Sequence, residues 1–149
     1  MRLTEQGPGR FALQITPTYR ALDERPRPTM ISNVDDDECA REATAGVIRS
    51  LGYALATYAS AEDFLSSDHV RNTSCLISDV HLPGLSGLEL YQHLRANGFV
   101  VPTIFVTGCP DQTTRTQALA AGAVAFLSKP FGKRVLLDCL KVASLRHHV

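Results

Sequence analysis

The sequence lacks three features that would narrow its class at once: a long apolar run, an excess of charge of one sign and cysteines at a CxxC spacing. No stretch reaches the roughly 18 apolar residues of a membrane-spanning helix, and the N-terminus has no apolar signal-peptide core. Fifteen Lys and Arg balance fifteen Asp and Glu, so nothing global favours nucleic acid or an anionic membrane as a partner. We therefore expect a soluble, cytoplasmic protein.

The length of 149 residues is enough for one domain with its own core. Residues 1–28 contain four prolines and five arginines without a sustained helical or strand period, so we interpret them as a flexible N-terminal extension. Residues 29–146 form the predicted domain and 147–149 a short tail. The isolated cysteines predict reduced thiols, with a redox role for Cys109 as a minor alternative.

Apolar runs and helical patterns alternate from residue 29 onward. The predicted strands are 29–34, 53–59, 75–79, 103–107 and 124–128. The predicted helices are 37–51, 60–66, 86–97, 111–121 and 132–146, and Ala40, Ala43, Val47 and Leu51 share one face of the first. Five βα units with right-handed crossovers predict an α/β, flavodoxin-like (βα)₅ doubly wound parallel sheet with strand order 2-1-3-4-5.

Reactive side chains stand at the ends of four predicted strands: Asp35 and Asp36, Asp79, Thr107 and Lys129. Because ligands of open parallel sheets bind outside the carboxyl ends of the strands, these groups should converge. Neighbouring carboxylates repel one another, and Mg²⁺, which prefers oxygen ligands, would relieve that repulsion. The alternatives are that Asp35 and Asp36 cap the first helix and that Lys129 is an ordinary surface lysine.

A carboxylate beside a cation and a lysine is suited to attack on phosphorus. Lys129 needs a counter-charge if it is buried, and Asp79 is the expected partner. The Thr107 hydroxyl could donate to a phosphoryl oxygen. Phosphoryl transfer depends mainly on alignment and charge stabilisation, and an acyl phosphate on a carboxylate is an established covalent intermediate.

Four motifs together resemble the response-regulator receiver domains of two-component signalling. The matching stretches are VDDDECAR (34–41), LISDVHLPGLSGLEL (76–90), PTIFVTG (102–108) and AGAVAFLSKPF (121–131). The intervals between the acidic, Thr and Lys positions are similar to those of the nitrogen-fixation branch of that family. Single motifs are weakly specific, but the ordered set is highly specific.

The resemblance implies a role for each acidic position. Asp79 would be the phosphoacceptor. Asp36 would bind Mg²⁺ directly and Asp35 mostly through water, and the backbone carbonyl of His81 would complete the protein ligands.

The resemblance also implies the phosphoryl-binding and switching residues. Thr107 and Lys129 would hold the phosphoryl group, and the Lys129–Pro130 bond would be cis. Phe126 would be an aromatic switch that turns inward when Thr107 moves, although plain core packing is the alternative.

Three positions depart from the common family pattern. Asn33 lies where an apolar strand residue is usual, so we expect a less regular first strand and a partner for the buried amide. His81 and Cys109 each lie two residues after a site residue, where side chains of this family control access of water. We expect them to tune the lifetime of the acyl phosphate.

The implied function is a signalling switch and not an enzyme with turnover. A histidine kinase or phosphotransfer protein would donate the phosphate, self-catalysed transfer and slow autodephosphorylation would follow, and a downstream protein target would read the altered surface. A phosphorylation-dependent homodimer is possible, whereas direct nucleic-acid or membrane binding is not expected. The chain stops after the predicted fifth helix, so we expect a stand-alone receiver.

Three alternatives stay open. The chain could be the N-terminal fragment of a DNA-binding response regulator, or a phosphate-independent receiver-like binding module with a relic site. The third is a phosphohydrolase with an aspartyl nucleophile, but Asp79-Val80-His81 lacks the second Asp of its usual DxDx[TV] motif.

Overall fold

The structure, a computed structural model, describes residues 30–147. The predicted extension at 1–28 and residues 148 and 149 lie outside the described residues. The strands are β1 Met30–Val34, β2 Ala54–Tyr58, β3 Cys75–Asp79, β4 Thr103–Thr107 and β5 Ala125–Ser128. The helices are α1 Glu38–Ser50, α2 Ala61–Leu65, α3 Gly87–Ala96, α4 Gln112–Ala120 and α5 Lys133–His147.

All five strands are parallel and follow the order β2-β1-β3-β4-β5. The predicted fold class and strand order are therefore confirmed. The predicted bounds of β3 and β4 coincide with the observed ones, and α5 continues to the first residue of the predicted tail. Among the described helices, none combines the length and the apolar character that crossing a membrane requires. All four cysteines are unpaired, as expected.

Alternate residues of the central strands supply the cores on the two faces of the sheet. Ile77 and Ile104 point to a cluster that includes Leu136 of α5, whereas Leu76 packs with Phe64 of α2 on the other face. Burial of each such side chain contributes about 1.5–3 kcal/mol relative to exposure. Both faces of the sheet are thus covered, and its carboxyl edge is left for polar side chains.

The face of α1 that Ala40, Ala43, Val47 and Leu51 share is only partly directed at the core. The buried residues of this helix are Thr44, Ala45 and Ile48. Val47 and Leu51 pack only at the margin of the core. Ala40, Ala43 and Val47 of this face line a groove instead. The groove is completed by Thr44 of the same helix and by Lys129, Pro130 and Phe131. Alanine spacing alone does not distinguish a core face from a groove, because alanine buries little surface in either.

The first strand is regular despite its buried amide. Asn33 is only 1% exposed, and β1 pairs with β2 and β3 without a break. The side-chain amide of Asn33 donates to the Arg41 carbonyl at 3.4 Å. The expected irregularity is therefore wrong, since a carbonyl of α1 supplies the partner that the amide needs.

Candidate functional site

Three carboxylates meet at the carboxyl edge of the sheet. Asp35 and Asp36 follow β1, Asp79 ends β3, and one oxygen from each lies within 4.8 Å of the others. They converge because β1 and β3 are neighbouring parallel strands. Asp35 is 1% exposed and Asp79 8% exposed, whereas Asp36 is open to solvent. Two of the three charges are therefore largely removed from water.

Lys129 provides the counter-charge for both buried carboxylates. Its Nζ lies 2.7 Å from Oδ2 of Asp79 and 2.7 Å from Oδ2 of Asp35. The contact with Asp79 agrees with the sequence analysis, which did not anticipate the contact with Asp35. Burial alone would lower the pKa of Lys129, but its hydrogen bonds to the two carboxylates and their charges raise it above the usual value of 10.5. The Lys129–Pro130 peptide bond is cis, as expected.

Backbone amides hold the second oxygen of each buried carboxylate. Oδ1 of Asp35 accepts from the Asp37 amide at 3.0 Å, and Oδ1 of Asp79 accepts from the His81 amide at 2.9 Å. The N-cap of α1 is Asp37, whose carboxylate accepts from the amide of Ala40. The capping alternative for Asp35 and Asp36 therefore fails, because the next residue performs that role.

Thr107 closes the other side of the site at the end of β4. It is fully buried, and its Oγ1 accepts from the Cys109 amide at 3.0 Å. The Lys129 amide donates to the Thr107 carbonyl at 2.8 Å, which joins the ends of β4 and β5. Phe126 is buried in a cluster that contains Phe105. That position agrees both with an inward aromatic switch and with plain core packing.

The chemistry of the donor set fits Mg²⁺. The ligand atoms are carboxylate oxygens, which hard divalent cations prefer. Three carboxylates and one ammonium group carry a formal charge of minus two, which a divalent cation would neutralise. Asp36 is exposed and so can bind a cation that arrives from solvent without first breaking an ion pair with Lys129.

Comparison with known proteins gives the family. The family model for the response regulator receiver domain matches residues 31–141 of this chain. Nodulation protein W of Bradyrhizobium diazoefficiens is 41% identical over 113 residues, which cover 76% of this chain and 50% of that protein. The response regulator protein TodT of Pseudomonas putida is 36% identical over 117 residues, which cover 78% of this chain and 52% of that protein. The chain therefore belongs to the response regulator receiver domain family.

Solved structures agree with this assignment. The crystal structure of FixJ-N matches with a TM-score of 0.72 and 34% identity, and the match covers 80% of this chain and 95% of that one. The relatives thus include FixJ-like regulators, as the motif spacing predicted. The chain spans about half the length of the curated relatives it matches. Receiver domains generally bind Mg²⁺ at an acidic pocket, and Asp35, Asp36 and Asp79 form an acidic cluster in this chain.

Proposed function

We propose that this protein is a phosphorylation-controlled switch in which Asp79 accepts a phosphoryl group from a histidine kinase or a phosphotransfer protein. One observation carries the proposal: Asp79 ends the central strand, so the acidic pair following β1 lies on one side of it and Thr107 on the other. Lys129 contacts the same carboxylate. A nucleophile, a group of carboxylates suited to a cation and two donors for phosphoryl oxygens therefore lie together at the carboxyl edge of the sheet.

The proposed transfer makes one bond and breaks one. A carboxylate oxygen of Asp79 attacks phosphorus in line with the phosphohistidine N–P bond. The O–P bond forms, and the donor imidazole leaves with the electron pair of the N–P bond and takes a proton from solvent. Lys129 and Thr107 donate hydrogen bonds to the phosphoryl oxygens, where charge stabilisation lowers the barrier.

Asp35, Asp36, Asp79 and the backbone carbonyl of His81 would hold Mg²⁺. When bound, the cation neutralises charge on the phosphoryl oxygens. Lys129 offsets part of the negative charge of the two buried carboxylates before phosphorylation and is already close to Asp79 when the phosphoryl group arrives. His81 and Cys109, both exposed beside the site, tune the access of the water that hydrolyses the acyl phosphate.

Phosphorylation adds roughly two negative charges at Asp79. The Thr107 hydroxyl turns toward the phosphoryl group, Phe126 packs behind it, and the surface of α4, β5 and α5 shifts between two arrangements. Leu119 of α4 and Val135 of α5 expose apolar surface there, which suits a downstream protein target or a second copy of the chain. The proposal needs no substrate turnover beyond self-catalysed transfer and slow autodephosphorylation.

The proposal is tested by labelling with a small phosphodonor such as acetyl phosphate in the presence of Mg²⁺. The wild type should gain acid-labile phosphate, and Asp79→Asn should gain none, because the amide cannot form the mixed anhydride. Asp63→Asn is the matched control, since Asp63 is an exposed carboxylate of α2 outside the cluster. It should label like the wild type. Equal labelling of the wild type and Asp79→Asn would contradict the proposal.

A further inference from the structure

The loop of residues 80–86, which joins β3 to α3, starts at the site, and carboxylates accept hydrogen bonds from its backbone. The His81 amide donates to Oδ1 of Asp79 at 2.9 Å. At the tip of the loop, the Leu85 amide donates to Oε2 of Glu62 at 2.9 Å. Asp79 directly precedes the loop, whereas Glu62 comes from α2, 23 residues earlier than Leu85. The contact between Glu62 and Leu85 is thus a long-range tie on a loop that belongs to the site.

The backbone of the loop approaches Glu62 closely. Gly84 has φ +75°, and a Cβ added there would lie 2.6 Å from Oε2 of Glu62. A residue with a side chain would be strained at this φ, and its Cβ would push the Glu62 carboxylate out of its present position. This close approach lets the Leu85 amide reach the carboxylate. The hydrogen bond from the Leu85 amide lowers the pKa of Glu62 below its usual value.

The helix that carries Glu62 is itself firmly placed. Ser60 caps α2 by accepting from the Asp63 amide at 3.0 Å, and Ala61 and Phe64 are fully buried. Leu82 of the loop belongs to the same core cluster as Phe64. Glu62 therefore links the tip of the loop to a support that is anchored in the core.

We propose that Glu62 is a positioning residue, which ties the tip of the β3–α3 loop to α2 and thereby holds the backbone of His81 in place for cation and phosphoryl binding at Asp79. The proposal rests on the function proposed above. His81 takes part in the site twice through its backbone, because its amide donates to Asp79 and its carbonyl is a proposed ligand of Mg²⁺. A loop released at its tip would move both groups.

The expected effect is on affinity and not only on stability. Loss of a residue that orients a metal ligand typically weakens binding by about 10- to 100-fold. Because Glu62 is exposed, we expect Glu62→Ala to weaken Mg²⁺ binding by about tenfold, the lower end of that range. Glu62→Gln keeps an acceptor oxygen for the Leu85 amide and should stay within about twofold of the wild type.

Charge by itself offers another explanation, because removing any carboxylate near the site weakens cation binding. Asp63→Ala controls for this effect. Asp63 also lies in the first turn of α2 and is exposed, and its carboxylate makes no hydrogen bond or ion pair with the described part of the chain. Asp63→Ala should bind Mg²⁺ like the wild type. Together with Glu62→Gln, it distinguishes loss of the hydrogen bond to the Leu85 amide from loss of a negative charge.

The experiment is calorimetric titration of the full chain with MgCl₂, followed by amide hydrogen exchange with and without Mg²⁺. Mg²⁺ should slow exchange at the Leu85 amide in the wild type and in Glu62→Gln, but much less in Glu62→Ala. Equal Mg²⁺ affinity in Glu62→Ala and the wild type would overturn the positioning role and leave the proposed function intact. Equal losses in Glu62→Ala, Glu62→Gln and Asp63→Ala would also overturn it, in favour of charge. A wild type that binds no Mg²⁺ would instead contradict the proposed function.

Discussion

The two loops that flank Asp79 are held in very different ways. In the β3–α3 loop, the amides of His81, Leu85 and Ser86 each donate to a carboxylate at 2.9 Å, and a leucine anchors the loop in the core. The β4–α4 loop, residues 108–111, is exposed along its whole length. Cys109 donates its amide to Thr107 there, and Asp111 caps α4.

This difference separates two tasks. The side of the site that would hold a cation is built in advance, because its backbone groups are fixed before any ligand arrives. The side that carries the Thr107 hydroxyl borders a loop with few constraints, and segments of low local stability are the ones that move in switches. We therefore expect the β3–α3 loop to determine affinity and the β4–α4 loop to respond to phosphorylation.

The comparison is tested most directly by adding a methyl group at one end of each loop. A Cβ at Gly87, where the first loop meets α3, would lie 2.2 Å from the Asp79 carbonyl oxygen. Gly87→Ala should therefore lower the free energy of unfolding by about 3 kcal/mol, as overpacking at a fixed backbone does. The measurement is urea denaturation followed by circular dichroism.

Gly108→Ala in the second loop is the matched variant. A Cβ there would meet nothing within 4 Å, so the free energy of unfolding should change by no more than about 0.5 kcal/mol. Similar losses in the two variants would mean that the loops are equally constrained, against the comparison drawn above.

Removal of the counter-charge should have the next largest effect. Lys129→Ala leaves Asp35 and Asp79 buried without their ammonium partner. We expect a loss of about 2 kcal/mol of unfolding free energy without Mg²⁺, less than for a fully buried pair because the Lys129 side chain is 20% exposed. Added Mg²⁺ should restore more stability to this variant than to the wild type, as measured by thermal unfolding.

Lys141→Ala, at an exposed position of α5, is the control for loss of a lysine. It should unfold like the wild type at every Mg²⁺ concentration. If Mg²⁺ stabilised Lys129→Ala no more than the wild type, the cation and the ammonium group would not share the same carboxylates.

The smallest effects should come from one exposed side chain of each loop. His81→Ala and Cys109→Ala should each change the dephosphorylation rate on the order of threefold, which is less than 1 kcal/mol in the barrier, because under the proposed function both side chains control the access of water to Asp79. The measurement is the decay of acid-labile phosphate after the phosphodonor is removed. Unchanged rates in both variants would refute the tuning role.

The sequence predicted best where an apolar run ended in a reactive residue. The bounds of β3 and β4 were correct because Asp79 and Thr107 mark the points where buried strands emerge at the sheet edge. The convergence of Asp35, Asp36 and Asp79 followed from strand order alone. The contact between Lys129 and Asp79 followed from the need of a buried ammonium for a counter-charge.

Other features depend on contacts that leave no pattern in the sequence. Glu62 binds a backbone amide, and any residue other than proline would offer one at Leu85, so nothing in the residue types marks the pair. For the same reason, the residue types did not indicate that the side-chain amide of Asn33 donates to a backbone carbonyl of α1. The contact between Lys129 and Asp35 could not be predicted, because it depends on which of two neighbouring carboxylates is the buried one. Strand order does not give that information.

The central claim is that Asp79, which lies beside Asp35 and Asp36 at the carboxyl edge of the sheet, is the phosphoacceptor. Its most direct test is to locate the phosphoryl group by peptide mass spectrometry after reaction with acetyl phosphate, with Mg²⁺ and with a chelator. We predict a single phosphoryl group, on Asp79. It should form in the presence of Mg²⁺ and should not form when a chelator is present from the start. A phosphoryl group on another residue, or labelling of Asp79 that is indifferent to Mg²⁺, would contradict the account.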